Sequence, residues 1–458
     1  MKTEKKFLWG ASLSAHQTEG AVDVDGKQPS VQDTRQRDNH EIADFTVAVD
    51  HFHHYQEDID LLKGMGVTAL RISCAWTRII QVDGSVNERG LKHYDDVIDY
   101  LLKQDILPIV TTYHFDLPDH LEQAGGWTNP DTVRAYSDYV EVLFKHFGDR
   151  VKHWLTINEP NIMLLADQKI VGFHRENPER YASFYNLMIA EKIAIKKCHE
   201  LVEGGQIGPV PNISIVYPLS SKPADVRAAL TFNAVRNWAY LDFSVKGRIN
   251  PILQAHLKDM GITLEIQPEH LELVQNNRPD FIGLNYYTSA TVSFPQPGEA
   301  KLAGVSDQQS EDVYEPGAYK GVTNPFLKKN EFNWTLDPLG LQTTLEVTND
   351  RYEIPIMITE NGLGAYDELT ADHQIHDQYR IDYLQQHLAA IEQAQKNGVP
   401  VCGYLPWSAI DLISVHEGIA KRYGFIYVDR TDKDLKELKR YPKDSYYWFK
   451  QVIEKGGL

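Results

Sequence analysis

Two glutamates stand at the ends of short apolar segments, far apart in the chain. Glu159 ends the segment "HWLTINE" and Glu360 follows "PIMIT". A carboxylate in such a position is expensive to desolvate unless it is hydrogen-bonded or takes part in a reaction. If the fold brings the two together, one can protonate a leaving oxygen while the other attacks an anomeric carbon or activates water, as glycoside hydrolysis requires. The alternative is two strand-end carboxylates with no shared task.

Short apolar segments alternate with amphipathic ones along nearly the whole chain, which is typical of βα units around a parallel sheet. The predicted strands begin at Phe7, Val67, Leu107, His153, Ile213, Phe281, Pro355 and Val401. Predicted helices include 50–65, 131–147, 182–201, 224–245 and 373–397. This alternation predicts an α/β fold, a (β/α)8 TIM barrel whose active site lies at the carboxyl ends of the strands.

The longest connection spans about residues 289–350 and contains the polar sequence "FPQPGEAKLAGVSDQQSEDVYEPG". We interpret it as a polar functional loop over the barrel mouth, because an interdomain linker explains its length less well. Barrels often exceed the usual domain length. We therefore expect a single catalytic domain over residues 1–458, with long βα loops over the C-terminal face.

The composition excludes some partners. The chain has 458 residues with 46 Lys and Arg against 64 Asp and Glu, a net charge of −18, and no local run of basic residues. Because of these features we expect the protein to bind neither nucleic acid nor anionic membrane surfaces. The apolar part of "MKTEKKFLWGASLSA" is too short for a membrane span, so we expect a cytoplasmic protein. Cys74, Cys198 and Cys402 are predicted to be buried free thiols.

The segment "DHFHHYQEDI" places His51, His53 and His54 close together, which suggests a metal site. No Cys and His set elsewhere completes such a site, and the segment opens a predicted helix. A polar helix face or ordinary helix capping is the favoured interpretation.

Several motifs resemble those of the family 1 glycoside hydrolases: "TINEP" and "ITENG", with "FLWGASLSAHQTEGA", "TTYHFDLP", "NYYT" and "PWSAIDL". The match runs in the family's order from about Phe7 to the terminal "SYYWFKQVI". The resemblance implies a retaining β-glycosidase on a (β/α)8 barrel, with Glu159 as general acid/base and Glu360 as nucleophile. It implies no metal ion and no organic cofactor.

The resemblance also implies roles for residues near the two glutamates. Arg71 and Tyr287 resemble the family's partners of the nucleophile, and Asn285 is a weaker supporting candidate. Asn158 has an amide suited to a sugar 2-hydroxyl. The alternative for Arg71 and Tyr287 is an ordinary ion pair and a packed ring.

Four further side chains resemble the family's sugar ligands. Gln17 and His114 correspond to ligands of the sugar hydroxyls, and Trp407 to the aromatic floor under the ring. Trp334, in "FNWTLDPLG", resembles the aromatic residue on the leaving-group side. For each of them the alternative is core packing.

The stretch "DLISVHEGIAKRYGFIYVD" departs from the ordinary β-glucosidases of the family, whose segment resembles D-N-F-E-W. Ser414 stands in place of that Glu and Val415 in place of that Trp. Ser414, Lys421 and Tyr423 all donate hydrogen bonds, so we predict that these three residues, the phosphate clamp, bind a 6-phosphate that a glutamate would repel. The alternative is that Lys421 and Tyr423 are structural, because "KR[FY]G" also occurs in members that bind no phosphate.

The expected substrate is a phosphorylated β-glucoside, such as cellobiose 6-phosphate or an aryl β-glucoside 6-phosphate. The absence of a Trp at Val415 favours 6-phosphoglucosides over 6-phosphogalactosides. A plain β-glucosidase and a 6-phospho-β-galactosidase stay open as alternatives. A more remote alternative is a non-catalytic barrel that binds sugar phosphates. The sequence does not indicate an oligomeric state.

Overall fold

A computed structural model describes residues 7–35, 41–171, 175–303 and 310–458. Its main sheet consists of parallel strands in the spatial order β5, β4, β3, β2, β1, β8, β7, β6. In chain order these strands are β1 (Leu8–Ser12), β2 (Ala69–Ser73), β3 (Leu107–Tyr113), β4 (His153–Asn158), β5 (Gln206–Val210), β6 (Ile282–Asn285), β7 (Ile356–Glu360) and β8 (Val401–Tyr404).

Backbone hydrogen bonds between the β5 and β6 segments bring the two ends of this sheet together. The Asp280 amide donates to the Ile207 carbonyl at 2.9 Å, and the Asn285 amide donates to the Pro211 carbonyl at 3.1 Å. The predicted (β/α)8 barrel is therefore confirmed. Its carboxyl ends all lie on one face, as a parallel sheet requires.

The predicted fifth strand was wrong. In the segment that begins at Ile213, the strand Val216–Pro218 pairs with Ala290–Ser293 in a separate small sheet. The barrel strand β5 lies earlier and contains Gly208 and Pro209, which are residue types depleted in strands. Glycine is needed there because a Cβ on Gly208 would lie 2.5 Å from the Phe281 carbonyl oxygen.

Helices and helical turns occupy most connections between the strands. Within the described ranges they are Ala15–Thr18, Val31–Thr34, His51–Met65, Trp76–Ile79, Glu88–Lys103, Asp119–Gln123, Gly126–Thr128, Pro130–Phe147, Pro160–Val171, Glu179–Leu201, Pro223–Asn233, Ala234–Trp238, Ala239–Lys246, Pro251–Asp259, Pro268–His270, Leu271–Asn276, Pro338–Tyr352, Gln378–Lys396 and Asp444–Lys455. The predicted helices are confirmed with shifted ends, except that a π-helical turn at Ala234–Trp238 interrupts the one at 224–245. Across the described part of the chain, no helix has the length and apolar character needed to cross a bilayer.

The connection at 289–350 is more ordered than a polar loop, and that prediction needs correction. It contains the helix Pro338–Tyr352, which begins after Asp337, whose side chain accepts a hydrogen bond from the Gly340 amide at 2.8 Å. Residues 304–309 of the quoted stretch lie outside the described residues. The connection also contains the short strands Ala290–Ser293, Tyr314–Glu315, Tyr319–Gly321, Lys328–Lys329 and Thr335–Leu336, and the strands Ile426–Val428 and Arg440–Pro442 follow β8.

An apolar cluster lies inside the barrel. It supports the polar residues at the strand ends, because close-packed side chains hold the strands in fixed positions. Its buried members are Ala69, Ile109, Leu155, Val210, Phe281, Met357 and Leu405.

All three cysteines are free thiols, as predicted. Cys74 and Cys198 are buried, whereas Cys402 is only half-buried, so the prediction of burial was wrong for that residue.

The predicted histidine cluster lies at the start of the helix His51–Met65. Each imidazole Nδ1 contacts a carboxylate: His51 contacts Asp58 at 2.7 Å, His53 contacts Asp50 at 2.6 Å and His54 contacts Glu57 at 2.9 Å. His54 Nε2 also lies 3.8 Å from Asp50, so His53 and His54 share one carboxylate, whereas His51 pairs with Asp58.

Candidate active site

One pocket of about 250 Å³ opens at the carboxyl ends of the strands. Arg71 and Asn285 are fully buried and contact residues that line it, and Lys421 is fully buried and packs against Trp334, which also lines it. Most of the predicted site residues line this pocket: Gln17, His114, Asn158, Glu159, Tyr287, Trp334, Glu360, Trp407, Ser414 and Tyr423.

Glu360 is the last residue of β7, and each of its carboxylate oxygens accepts a hydrogen bond. Arg71 Nη1 donates to Oε1 at 2.5 Å, and the Tyr287 hydroxyl donates to Oε2 at 2.6 Å. Burial raises the pKa of Tyr287 well above its ordinary value, so its phenol keeps the proton that it donates. The two contacts hold the carboxylate in one orientation at the edge of the pocket.

Arg71 extends from β2 and connects several strands. Besides Glu360, it donates from Nη2 to Asn158 Oδ1 at 2.6 Å and from Nε to Thr111 Oγ1 at 2.9 Å. The guanidinium therefore links side chains from β3, β4 and β7. A buried cation requires such partners, since an unpaired charge inside a protein is strongly unfavourable.

Asn285, at the end of β6, continues the same network toward Glu159. Its Nδ2 donates to Glu159 Oε1 at 2.9 Å and to Asn158 Oδ1 at 3.2 Å. The Thr359 hydroxyl donates to Asn285 Oδ1 at 2.7 Å, which fixes the orientation of this amide. A continuous set of hydrogen bonds thus connects Glu159 to Arg71 and Glu360.

The environment of Glu159 favours its protonated form. Burial, followed by the nearby charge of Glu360, raises its pKa to about 7. Hydrogen bonds from Asn285 and Asn212 and the charge of Arg236 oppose this rise. The carboxyl group is therefore partly protonated near neutral pH, as a general acid must be.

Asn212 and Arg236 were missed by the sequence analysis. Asn212 Nδ2 donates to Glu159 Oε1 at 2.9 Å, and Arg236 Nη2 donates to Asn212 Oδ1 at 2.9 Å. Arg236 lies on the π-helical turn, and such turns are frequent at functional sites. No motif identifies these residues, because Asn212 lies just before the segment wrongly predicted as the fifth strand, and Arg236 lies within a segment predicted as a regular helix.

His114 and Trp407 form an aromatic part of the pocket. Their rings stack with centroids 5.7 Å apart. His114 Nε2 is 3.2 Å from Asn158 Nδ2. Burial, followed by the charge of Arg71, lowers the pKa of His114 well below its ordinary value, so the imidazole is neutral. A neutral imidazole and a stacked indole suit an uncharged sugar ring.

Gln17 is also held in place. Its Nε2 donates to the Ile413 carbonyl at 3.0 Å, and its Oε1 accepts from Ser14 Oγ at 2.8 Å. The side chain is therefore oriented by the protein before any ligand binds.

Two residues of the predicted phosphate clamp line the pocket, and the third is buried beside it. Ser414 and Tyr423 line the wall. Lys421 is fully buried, with its Nζ 4.1 Å from the ring centroid of Trp334 and 4.6 Å from that of Phe332. The structure thus brings the three clamp residues to one region and places the ammonium behind an aromatic surface.

Trp334 contacts the clamp side of the pocket. Its ring packs on Tyr287 with centroids 5.4 Å apart and on Tyr423 at 6.4 Å. Its buried Nε1 has no hydrogen-bond partner among the described residues.

A parallel barrel with two buried glutamates at its carboxyl ends defines a glycosidase-type site. The family model described as "Glycosyl hydrolase family 1" matches residues 2–458. The chain belongs to this family.

Individual proteins show the same similarity. An aryl-phospho-β-D-glucosidase of Bacillus subtilis is 38% identical over 99% of this chain and 97% of its own. A 6-phospho-β-glucosidase of Dickeya chrysanthemi is 38% identical over 98% of this chain and 97% of its own. The solved structure of a family 1 β-glucosidase from Thermotoga maritima superposes with a TM-score of 0.88 at 32% identity, over 100% of this chain and 99% of that chain.

The charge of Arg236 lowers the pKa of Glu159, so removing this charge should change the pH dependence of activity. In Arg236→Gln a positive charge that lowers the pKa of Glu159 is lost, so that pKa rises. A general acid loses activity as pH rises through its pKa. The basic limb of the kcat/KM profile should therefore move to higher pH. Arg236→Lys, which keeps the charge, is the control and should move the limb less. An unchanged limb in Arg236→Gln would contradict the electrostatic role.

Proposed function

We propose that this chain is a retaining 6-phospho-β-glucosidase that works through one barrel domain. The observation that carries the proposal is Ser414, which lines the same pocket as Tyr423 at a position where the family's ordinary β-glucosidases have a glutamate. The names of two relatives that are 38% identical, a 6-phospho-β-glucosidase and an aryl-phospho-β-glucosidase, support the same substrate class.

In the first step Glu360 attacks the anomeric carbon and Glu159 protonates the leaving oxygen. The bond from the anomeric carbon to the aglycone breaks, an ester between the sugar and Glu360 forms, and the aglycone leaves with the proton. Asn158 is the proposed donor to the sugar 2-hydroxyl. Its Oδ1 accepts from Arg71 and Asn285 and its Nδ2 contacts His114 Nε2, which leaves one N–H of the amide for the sugar.

In the second step water replaces the ester. Glu360 carries no charge as an ester, so the like charge that raises the pKa of Glu159 is absent. Glu159 then favours its ionised form and removes a proton from the attacking water. The ester bond breaks, Glu360 returns as a carboxylate, and the product keeps the anomeric configuration of the substrate.

The phosphate clamp must bind a dianion inside a protein of net charge −18. A serine hydroxyl, a phenol and an ammonium all donate hydrogen bonds to phosphate oxygens. Burial raises the pKa of Tyr423 well above its ordinary value, which keeps its phenol protonated as a donor. The unpartnered Nε1 of Trp334 is a further candidate donor in the same region.

A plain β-glucosidase is the second candidate. Lys421 is buried behind Trp334, and a carboxylate of Glu417 accepts a hydrogen bond from Ser414 Oγ at 3.1 Å. A carboxylate in this position suits neutral sugar hydroxyls. The similarity to the β-glucosidase from Thermotoga maritima also favours this candidate.

Two other candidates have less support. A 6-phospho-β-galactosidase is disfavoured by Val415, which lines the pocket where a Trp would be expected. A non-catalytic barrel is disfavoured because Glu159 and Glu360 are both present and joined by one hydrogen-bond network.

The proposed compartment is the cytoplasm. The three free thiols support it, because cytosolic proteins keep their cysteines reduced.

Glu360→Gln should abolish turnover with the fold intact, because an amide is a poor nucleophile. In Glu360→Gly, azide should restore turnover by attacking the vacated face and should give the α-glycosyl azide 6-phosphate. The control is Glu159→Gly, in which azide should instead attack the glycosyl ester and give the β-azide. NMR of the products distinguishes the two anomers. Full activity in Glu360→Gln, or the β-azide from Glu360→Gly, would contradict the assignment.

The substrate class is tested with p-nitrophenyl β-glucoside and its 6-phosphate. The wild type should prefer the phosphorylated substrate. Ser414→Glu places a like charge beside the phosphate and should lower kcat/KM for it by about 100-fold. Ser414→Gln is the control for side-chain size, and its kcat/KM for the phosphorylated substrate should fall by a smaller factor. Equal or better cleavage of the unphosphorylated glucoside by the wild type would favour the plain β-glucosidase.

A further inference from the structure

The tight turn Ser414–Gly418 places the carboxylate of Glu417 at the phosphate clamp. Ser414 and Gly418 close the turn by two backbone hydrogen bonds, of 2.8 and 3.2 Å. The turn directs the side chains of Ser414 and Glu417 toward each other, and Ser414 Oγ donates to Glu417 Oε2 at 3.1 Å. Lys421 Nζ lies 3.7 Å from the same oxygen. One carboxylate oxygen therefore lies near two of the three clamp donors.

This oxygen occupies a position suited to a phosphate oxygen. Carboxylate and phosphate oxygens accept hydrogen bonds from the same hydroxyl and ammonium donors. Both anions cannot be held there at once, because like charges in close contact repel. The Glu417 side chain is 29% exposed, so it can leave the clamp toward solvent without crossing the core.

We propose that Glu417 is a specificity-determining residue whose carboxylate competes with the substrate phosphate for Ser414 and Lys421. The inference rests on the proposed function, since it assumes that this clamp is where the 6-phosphate binds. A phosphorylated substrate must displace the carboxylate before it binds. An unphosphorylated glucoside leaves the carboxylate beside Lys421. Glu417 therefore reduces the preference of the pocket for phosphorylated substrates.

A purely structural role for Glu417 predicts the opposite result. If the carboxylate served to hold Ser414 and Lys421 ready for the phosphate, its neutralisation would weaken the binding of phosphorylated substrates. The two roles are thus distinguished by the direction of a single change in KM.

The test compares the wild type with Glu417→Gln and Glu417→Ala on p-nitrophenyl β-glucoside and its 6-phosphate. Glu417→Gln keeps an oxygen that can accept from Ser414 and removes the charge. KM for the phosphorylated substrate should fall by about fivefold, a typical effect of one partly exposed charge pair, with kcat little changed. The inhibition constant of glucose 6-phosphate should fall by a similar factor. Glu272 is an exposed glutamate on the helix Leu271–Asn276, so Glu272→Gln is the control for net charge. It should change neither KM for the phosphorylated substrate nor the inhibition constant of glucose 6-phosphate.

Melting temperatures verify that each variant is folded, and Glu417→Ala repeats the test without the amide. An unchanged or higher KM for the phosphorylated substrate in both folded variants would overturn the proposal. Failure of the proposed function has a different signature. In that case the wild type prefers the unphosphorylated glucoside, and glucose 6-phosphate inhibits it no better than glucose, whatever residue stands at 417.

Discussion

The site depends on one fully buried guanidinium. Arg71 donates to Glu360 and to Asn158, so a single cation fixes one catalytic candidate directly and the neighbour of the other. Its charge has no access to water and must be balanced within the barrel. The barrel meets this requirement by ending β4 and β7 in polar residues at the level of Arg71. The fold and the pocket are thus linked, because Glu360, which neutralises the cation, and Asn158, which accepts a hydrogen bond from it, both line the pocket.

The same network gives the two glutamates different environments. Glu360 accepts hydrogen bonds from an arginine and a tyrosine, whereas Glu159 is contacted by two neutral asparagine amides. Burial and the charge of Glu360 raise the pKa of Glu159 to about 7. Two residues of one chemical type are thereby suited to different proposed tasks, nucleophile and proton donor. The difference arises from the neighbours and not from the carboxylates themselves.

The sequence predicted those parts of the site that follow strongly apolar strands. Glu360 ends such a strand and Glu159 directly follows one, and a parallel barrel brings strand ends to one face. Asn212 and Arg236 were not predictable in this way. Gly208 and Pro209 are residue types depleted in strands, so β5 does not have the sequence pattern of a strand, and the π-helical turn has no sequence signal.

The exchange at Ser414 indicated a phosphate clamp. The proximity of Glu417 depends on the backbone of one tight turn, and the burial of Lys421 depends on Trp334 from a distant loop.

The central claim is that Glu360 forms a glycosyl ester with a 6-phosphorylated sugar. The most direct test uses 2-deoxy-2-fluoro-β-glucosyl fluoride 6-phosphate, in which the 2-fluorine slows both steps and the fluoride leaving group keeps the first step fast enough to trap the ester. Peptide mass spectrometry of the inactivated protein should find the sugar phosphate on Glu360, and the unphosphorylated analogue should inactivate more slowly. A label on another residue, or faster inactivation by the unphosphorylated analogue, would contradict the account.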